Sequence, residues 1–189
     1  MMPKSPAQSH LDPRQPLVVD TTKLPRQPGA TRALKRVTPA PADLSLELIS
    51  VPEGSELELD LVLTSVSEGV YVSGQVRGSL TGECGRCLNE ISESFDVTLA
   101  ELFAYADSTT EETTDEDEVG RMQGDLIDLE PAVRDAVVLT LPTNPLCRPD
   151  CPGLCPECGV HFDDLPADHS HEEVDPRWAA LRNLTQTEE

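Results

Sequence analysis

Six cysteines lie in two short groups, and thiolates are strong zinc ligands. Four of them fall within one run, LCRPDCPGLCPECG, as Cys147, Cys151, Cys155 and Cys158. Zinc takes four ligands in a tetrahedron, with sulfur at about 2.3 Å, and closely spaced cysteines can supply several ligands from one turn. The prolines and glycines of the run favour turns over a helix or strand. The spacing therefore predicts a structural zinc site formed by these four cysteines.

The sequence also offers alternative or additional ligands. A CxxC pair lies earlier in the chain, and two of the three histidines after the last cysteine, His169 and His171, are candidate ligands. A two-site arrangement would use Cys155, Cys158, His169 and His171 in one site and Cys84, Cys87, Cys147 and Cys151 in the other. Histidines near a chain end are more often simply solvated. The CxxC pair alone indicates a zinc site, a redox dithiol or a closed hairpin, and its flanking glycines favour a turn over the helix start of a redox motif.

The sequence carries no recognisable catalytic motif. A catalytic zinc needs an open ligand position and a general base, whereas four close cysteines favour a closed sphere. The chain contains no phosphate-binding glycine-rich loop, nucleophile elbow or HExxH motif. We therefore expect a protein that is not an enzyme. A metal-dependent RNA-processing hydrolase and a thiol-based redox sensor remain as alternatives.

Charge divides the chain into a basic arm and an acidic body. Residues 1–36 hold seven basic and two acidic residues, a balance of +5. The rest holds seven basic and 33 acidic residues, a balance of −26 within the total of −21. The body should repel nucleic acid and attract basic protein, whereas the arm could meet phosphates or be a solvated leader. The candidate RNA-binding residues of the arm are Lys23, Arg26, Arg32, Lys35 and Arg36.

Hydrophobic periodicity predicts an antiparallel β body with one helix. Four leucines occupy alternate positions over 57–63, with Glu58 and Asp60 on the other face, valines alternate from Val70 onwards, and a third strand follows around 95–99. The first CxxC pair then falls at the tip between two strands. Asp128 is a candidate cap for a helix with apolar residues at three- and four-residue intervals up to Thr140. A basic stretch through Pro41 reads as irregular.

Three further segments complete the predicted organisation. Residues 1–16 are a disordered leader, 17–146 are the β-rich body with the basic arm and an acidic loop over 106–122, and 147–189 form the cysteine-rich segment and a tail helix containing Trp178. A calcium loop starting at Asp115 is rejected, because its twelfth position is Leu126 rather than an acid. The chain opens without a secretory signal and has no membrane-length apolar run, which favours a reducing cytoplasm and no membrane contact.

Several motifs in this order resemble the YceD-type family of large ribosomal RNA subunit accumulation proteins. They are LVVDTTKLPRQPGA, GECGRCLNEISESFDVTLAELF, the acidic insertion, DLIDLEPAVRDAVVLTLPTNPLCRPDCPGLCPECG and the ending EEVDPRWAALRNL. Many members of that family carry Cys-x-Cys after the last knuckle, where this chain has His169 and His171. Other members keep only the first cysteine pair, which implies that the C-terminal metal site is not indispensable to them.

The resemblance implies a non-enzymatic, cytoplasmic factor needed for large-subunit ribosomal RNA to accumulate. Its expected partners are large-subunit ribosomal RNA or its precursor and a basic ribosomal protein, and its expected cofactor is a structural zinc ion. We thus expect an α+β protein: a mainly antiparallel β domain with one central helix, a zinc-binding C-terminal segment and a short C-terminal helix.

Overall fold

A six-stranded sheet forms the centre of the computed structural model, which describes residues 11–108 and 119–171. Its strands follow the order β2–β4–β5–β6–β7, with β3 beside β5, and β1 pairs with β8 in a separate two-stranded sheet. The strands are β1 Val18–Asp20, β2 Thr31–Pro39, β3 Ile49–Ser50, β4 Glu56–Ser65, β5 Gly69–Glu83, β6 Glu90–Ala104, β7 Gly120–Arg121 and β8 Leu126–Asp128. All these pairings are antiparallel except that of β6 with β7. The predicted mainly antiparallel β domain with one helix is confirmed.

Strand β4 is the part of the core that the sequence predicts most clearly. Leu57, Leu59, Leu61 and Leu63 are almost fully buried, and Glu58 between them is exposed. Side chains of a strand alternate between two faces, so this pattern turns one face of the sheet toward the core. Burying each leucine contributes about 1.5–3 kcal/mol.

Strands β5 and β6 form a long hairpin whose tip carries the first CxxC pair. They pair without interruption from Gly69 opposite Ala104 to Glu83 opposite Glu90. Valines and leucines of β5 at alternate positions are buried, as the sequence predicts. The hairpin therefore places Cys84 and Cys87 at one end of the sheet.

Strand β2 corrects the reading of the basic stretch as irregular. Residues Thr31–Pro39 pair with β4 along their full length. Only Leu34 and Thr38 are buried in this strand, and charged residues stand around them. Because its apolar signal is so weak, the strand is recognisable only through the partner that it pairs with.

Helix α1, Glu130–Thr140, packs against β6. Val133 and Val137 are buried on its inner face, as the predicted periodicity requires. The N-cap position is Leu129 rather than the predicted Asp128, although the Asp128 carboxylate still accepts a hydrogen bond from the Glu130 N–H at 2.9 Å. The helix ends just before the cysteine run.

The flanking segments differ from the expectations in detail. Residues 11–16 form turns, with the Gln15 N–H donating to the Asp12 carbonyl at 3.0 Å, and the predicted acidic loop already includes β7 and the buried Met122 at its far end. The predicted tail helix and most of the predicted acidic loop lie outside the described residues. Among the described residues, no helix is long and apolar enough to cross a membrane.

Candidate metal centres

The cysteine-rich segment docks on the tip of the β5–β6 hairpin through main-chain hydrogen bonds. The Gly85 N–H donates to the Pro145 carbonyl at 2.8 Å. One guanidinium nitrogen of Arg86 donates to the Cys151 carbonyl at 2.8 Å, and the Arg86 carbonyl accepts from the Leu154 N–H at 3.2 Å. These bonds bring cysteines that lie more than sixty residues apart in the chain to the same end of the sheet.

The structure collects the candidate ligands into two groups of four. The proximal cluster consists of Cys84, Cys87, Cys147 and Cys151, and the distal cluster of Cys155, Cys158, His169 and His171. Within each cluster the ligand atoms all lie within 4.8 Å of one another. The run of four C-terminal cysteines is therefore divided between two clusters, because its first half faces the hairpin tip and its second half faces the histidines. This geometry favours the two-site alternative over a single four-cysteine sphere.

Distances within the proximal cluster fit a tetrahedral zinc ion. The Cys84 and Cys151 sulfurs are 3.8 Å apart, and those of Cys87 and Cys147 are 3.6 Å apart. A tetrahedron with zinc–sulfur bonds of about 2.3 Å has sulfur–sulfur edges of about 3.8 Å, far longer than the about 2.05 Å of a disulfide bond. All six cysteines are free thiols. Cysteine is the donor set that zinc prefers in closed structural sites, so the residues fit the ion.

Distances within the distal cluster fit a mixed cysteine–histidine sphere. The Cys155 sulfur lies 3.3 Å from Nε2 of His171, and the Cys158 sulfur lies 3.7 Å from Nε2 of His169. With zinc–nitrogen bonds of about 2.0 Å, a sulfur–nitrogen edge is about 3.5 Å long. A Glu157 carboxylate oxygen lies 3.5 Å from Nδ1 of His171 and turns Nε2 of that ring toward the sulfurs.

Both CxxC pairs adopt the same knuckle. In one, the Leu88 N–H donates to the Cys84 carbonyl at 2.9 Å; in the other, the Gly159 N–H donates to the Cys155 carbonyl at 2.8 Å. Leu88 and Gly159 follow the second cysteine of each pair and have positive φ values of 61° and 69°. A left-handed leucine is costly, and such strain persists where the surrounding structure imposes it.

Main-chain N–H groups aim at the first sulfur of each knuckle. Burial raises the pKa of the Cys84 thiol, but the main-chain N–H groups of Cys147, Arg86 and Cys87 donate to its sulfur and bring the pKa down to about 6. The N–H groups of Cys158 and Glu157 lower the pKa of Cys155 to about 6 in the same way. In each knuckle the two donors stand two and three residues after the cysteine. They supply the support that a metal-bound thiolate needs.

Two other thiols of the proximal cluster, those of Cys147 and Cys151, have raised pKa values. The Cys87 side chain, followed by burial and the other thiols, raises the pKa of Cys147 to about 12. Burial is the largest of the causes that raise the pKa of Cys151. Several thiolates this close together repel one another, and a bound cation removes that repulsion by supplying the opposite charge.

Three of the four proximal ligands are buried and Cys147 is exposed, whereas the distal cluster is more open. Cys84 and Cys151 are fully buried and pack with Cys87 and Ile91, beside the partly buried Leu146 and Leu154. In the distal cluster Cys158 and His171 are exposed. Each cluster presents four ligands, which fills a tetrahedral sphere and leaves no position for a substrate or an activated water.

Two of the five predicted RNA-binding residues make ion pairs within the chain. Arg26 lies 3.2 Å from a carboxylate oxygen of Asp125 and stacks 4.9 Å above the ring of Tyr105. Lys35 lies 2.9 Å from the carboxylate of Asp60, although most of its side chain is exposed. Exposed pairs of this kind contribute about 0–1 kcal/mol each.

Two more of these residues bind main-chain carbonyls near the N-terminal end of the described chain. Arg32 donates to the Asp20 carbonyl at 2.9 Å. Arg36 donates to the carbonyls of Pro16 and Val18 at 3.0 and 3.1 Å. These side chains tie β2 to the segment around β1, so they have a structural role irrespective of any ligand.

The five basic residues do not share one face. Arg32 and Arg36 point to the side of β2 that carries the buried Leu34, whereas Lys35 points to the opposite side. Lys23 is exposed in the turn after β1. The sequence did not identify Arg86, Glu157 or Leu88, whose roles depend on the fold around the knuckles rather than on a motif of their own.

Comparison with known proteins supplies the family. The model of the family described as large ribosomal RNA subunit accumulation protein YceD matches residues 72–185. An uncharacterized protein of Mycobacterium tuberculosis (strain H37Rv) is 52% identical over 175 residues, which cover 93% of this chain and 83% of that protein. An uncharacterized protein of Mycobacterium leprae is 46% identical over 169 residues, covering 89% and 77% of the two chains.

A more distant relative extends the comparison beyond mycobacteria. The uncharacterized protein YlbN of Bacillus subtilis is 26% identical over 119 residues, covering 62% of this chain and 67% of that protein. No solved structure matches the chain. The family match includes all but the first three residues of the β5–β6 hairpin, together with α1, and so covers all eight ligands of the two clusters. The chain therefore belongs to the YceD family of large ribosomal RNA subunit accumulation proteins.

Proposed function

We propose that the protein is a non-enzymatic assembly factor of the large ribosomal subunit that acts in the cytoplasm and holds a basic ribosomal protein. The family is named for the accumulation of large-subunit ribosomal RNA, and an assembly factor affects that accumulation without cutting RNA. The observation that favours a binding role is that both ligand clusters offer four donors each. Closed spheres organise a surface, whereas a metal-dependent nuclease needs an open ligand position.

In this proposal two zinc ions are structural. The proximal cluster joins the cysteine-rich segment to the hairpin tip, and the distal cluster closes the end of that segment upon itself. Zinc binding in small peptides contributes about 10–16 kcal/mol of folding free energy, which is ample to order such a segment. Our proposal assigns the ions no chemical step.

Charge favours a basic protein over RNA as the principal partner. After Arg36 the chain has a balance of −26, which repels phosphate and attracts Lys- and Arg-rich surfaces. Four of the five candidate RNA-binding residues already have acceptors inside the chain, and they do not form one stripe. A holder of this kind would keep a basic ribosomal protein from attaching prematurely to RNA. RNA contact through these residues stays a prediction from the sequence.

The test is to purify the full chain from growing cells, with and without ribonuclease, and to identify what accompanies it. We expect a basic large-subunit ribosomal protein that remains bound after ribonuclease treatment. Recovery of ribosomal RNA with ribonuclease-sensitive proteins would refute a protein-centred role and favour RNA binding.

A second assay addresses the rival functions. Purified protein is incubated with precursor ribosomal RNA and Zn²⁺ or Mg²⁺, and we expect no cleavage; specific cleavage products would favour a hydrolase. A redox sensor would instead lose its partner in peroxide and regain it after reduction. We expect partner binding to follow ionic strength rather than oxidant.

A further inference from the structure

Strand β6 leaves most of one edge open within the described part of the chain. On one side it pairs with β5 along all fifteen residues, Glu90 to Ala104. On the other side, among residues 11–108 and 119–171, only β7 pairs with it, at Phe103 and Ala104. The opposite side of β6 from Glu90 to Ala100 therefore has no strand partner in the described structure.

The register identifies the main-chain groups that face this edge. At the two ends of the β5–β6 ladder, the Cys84 N–H donates to the Asn89 carbonyl and the Tyr105 N–H donates to the Glu68 carbonyl. Hydrogen-bonded pairs alternate along an antiparallel ladder, so the odd-numbered residues of β6 bond to β5. The even-numbered residues point the other way. The Ala104 carbonyl, which accepts from the Met122 N–H at 3.0 Å, confirms that direction.

The open edge thus presents N–H and C=O groups at every second residue. They belong to Glu90, Ser92, Ser94, Asp96, Thr98 and Ala100. Over this length the edge can pair with an extended segment of about ten residues. Main-chain groups in this arrangement are the template on which a further strand is added.

The side chains beside the edge have one sign of charge. Strand β6 contains Glu90, Glu93, Asp96 and Glu101 and no basic residue. Asp96 is neutralised by Arg77 at 2.7 Å, and the other three are exposed. An acidic edge repels a second copy of itself and accepts a strand of opposite charge, which is how charged edges exclude wrong partners.

We propose that the open edge of β6 binds an extended, basic protein segment as an additional strand of the sheet. This inference rests on the proposed function, because it assigns a surface and a conformation to the basic partner. Glu93 and Glu101 share the face of β6 that also carries Phe95 and Val97. The bound segment turns its Lys or Arg side chains to the face that carries the two glutamates, where their methylene stems also lie beside the phenylalanine and valine. Its alternate side chains point to the other face of the sheet.

The main-chain part of the proposal is tested with Ser94→Pro. The Ser94 N–H faces the open edge, so proline removes a donor for the added strand without removing a β5–β6 hydrogen bond, and edge positions of this kind tolerate proline. Ser94→Thr keeps the N–H and serves as the matched control. The probe is a ten-residue peptide in which lysine alternates with valine. We expect Ser94→Pro to weaken its binding at least about fivefold and Ser94→Thr to leave it unchanged.

A modified peptide keeps the test valid even if Ser94→Pro folds poorly. The same lysine–valine peptide, N-methylated at alternate residues, retains its charge but cannot pair as a strand on the methylated side. We expect wild-type protein to bind it at least about tenfold more weakly than the unmodified peptide. Equal affinity for the two peptides would show simple charge attraction and overturn the strand-addition proposal.

The charge part is tested by reversing acids beside and away from the edge. In Glu93→Lys/Glu101→Lys we expect the lysine–valine peptide to bind about tenfold more weakly at low salt. The control Asp43→Lys/Glu53→Lys changes the net charge by the same amount, and its exposed residues lie in the loops on either side of β3, outside β6. It should change the affinity about twofold at most. Equal weakening by both double variants would overturn the assignment to β6.

The remaining outcomes separate this inference from the proposed function. If Ser94→Pro and the double variant Glu93→Lys/Glu101→Lys still recover the basic ribosomal protein from cells as well as wild type does, the edge assignment fails and the proposed function stands. If wild type recovers no basic protein, the proposed function fails. If wild type sediments as a dimer that Ser94→Pro dissolves, the edge binds a second copy and the proposal is overturned.

Discussion

Removal of one proximal ligand, in Cys84→Ser, should destabilise the β body far more than removal of one distal ligand, in Cys158→Ser. The proximal cluster closes the chain between Cys87 and Cys147, which are 60 residues apart. The distal cluster closes a span of only 16 residues, from Cys155 to His171. The two variants make the same chemical change in two different loops, so each serves as the matched control for the other.

Loop closure sets the expected magnitude. A cross-link that closes about 60 residues lowers the conformational entropy of the unfolded chain by an amount worth about 4 kcal/mol at 25 °C. Closing the shorter distal loop contributes about 3 kcal/mol by the same estimate. This loop contains no residue of the β-sheets, so its closure stabilises the cysteine-rich segment and not the body. Cys84 is also fully buried, whereas Cys158 is exposed. We expect the unfolding free energy of the body to fall by about 4 kcal/mol in Cys84→Ser and by less than about 1 kcal/mol in Cys158→Ser.

Urea unfolding followed by circular dichroism measures these differences, and elemental analysis of the same samples counts the metal. Wild type should hold two zinc ions per chain, Cys158→Ser should hold one, and Cys84→Ser should hold at most one, bound more weakly. Chelator should bring wild type to the stability of Cys84→Ser. Equal destabilisation by the two variants would refute the assignment of the long loop to the proximal cluster. Purified, reduced wild type without zinc would refute both sites.

Three further predictions follow from the same contacts. Chelator should remove the distal ion before the proximal ion, because the distal ligands are more exposed. A colorimetric zinc indicator should then record two phases of zinc release from wild type. A variant that lacks a distal ligand should show the slower phase alone. Leu88→Gly should raise the unfolding free energy by about 1 kcal/mol in urea titrations, because Leu88 is exposed and its φ of 61° suits glycine; no gain would show that the leucine is not strained. Gly74→Ala should lower the unfolding free energy by about 2–4 kcal/mol, because Gly74 has a φ of 149° and an added Cβ would lie 2.8 Å from a Cα of β4. The control Gly54→Ala should lower it by about 1 kcal/mol in the same titration, because Gly54 has a φ of 76° but open space around it. Similar costs for the two alanine variants would contradict the close approach at Gly74.

The elements that the sequence revealed are those whose signal is local. The leucines of β4 alternate strictly, and the buried Val133 and Val137 of α1 repeat at helical spacing, so each pattern could be read within a dozen residues. The CxxC pair could be placed at a hairpin tip for the same reason. Strand β2 was not visible, because only two of its nine residues are buried and its existence depends on pairing with β4.

The division of the ligands between two clusters could not be decided from the sequence alone. Proximity along the chain favoured a sphere made from four cysteines of one run, yet Cys147 and Cys151 belong with cysteines of the β5–β6 tip. Only the docking of the segment on the hairpin, through Gly85 and Arg86, decides this. Ligand identity could be predicted from residue type, but ligand pairing is a property of the tertiary fold.

The order of the two clusters along the segment has a physical consequence for assembly. The Arg86 main-chain carbonyl, in the first knuckle, accepts the Leu154 N–H one residue before the second knuckle begins, while its side chain holds the Cys151 carbonyl. The second knuckle is therefore positioned by the first, whereas the first requires only the hairpin and Cys147 and Cys151. Dependence runs in one direction, so loss of the distal ion should leave the proximal site intact, but loss of the proximal ion should loosen both.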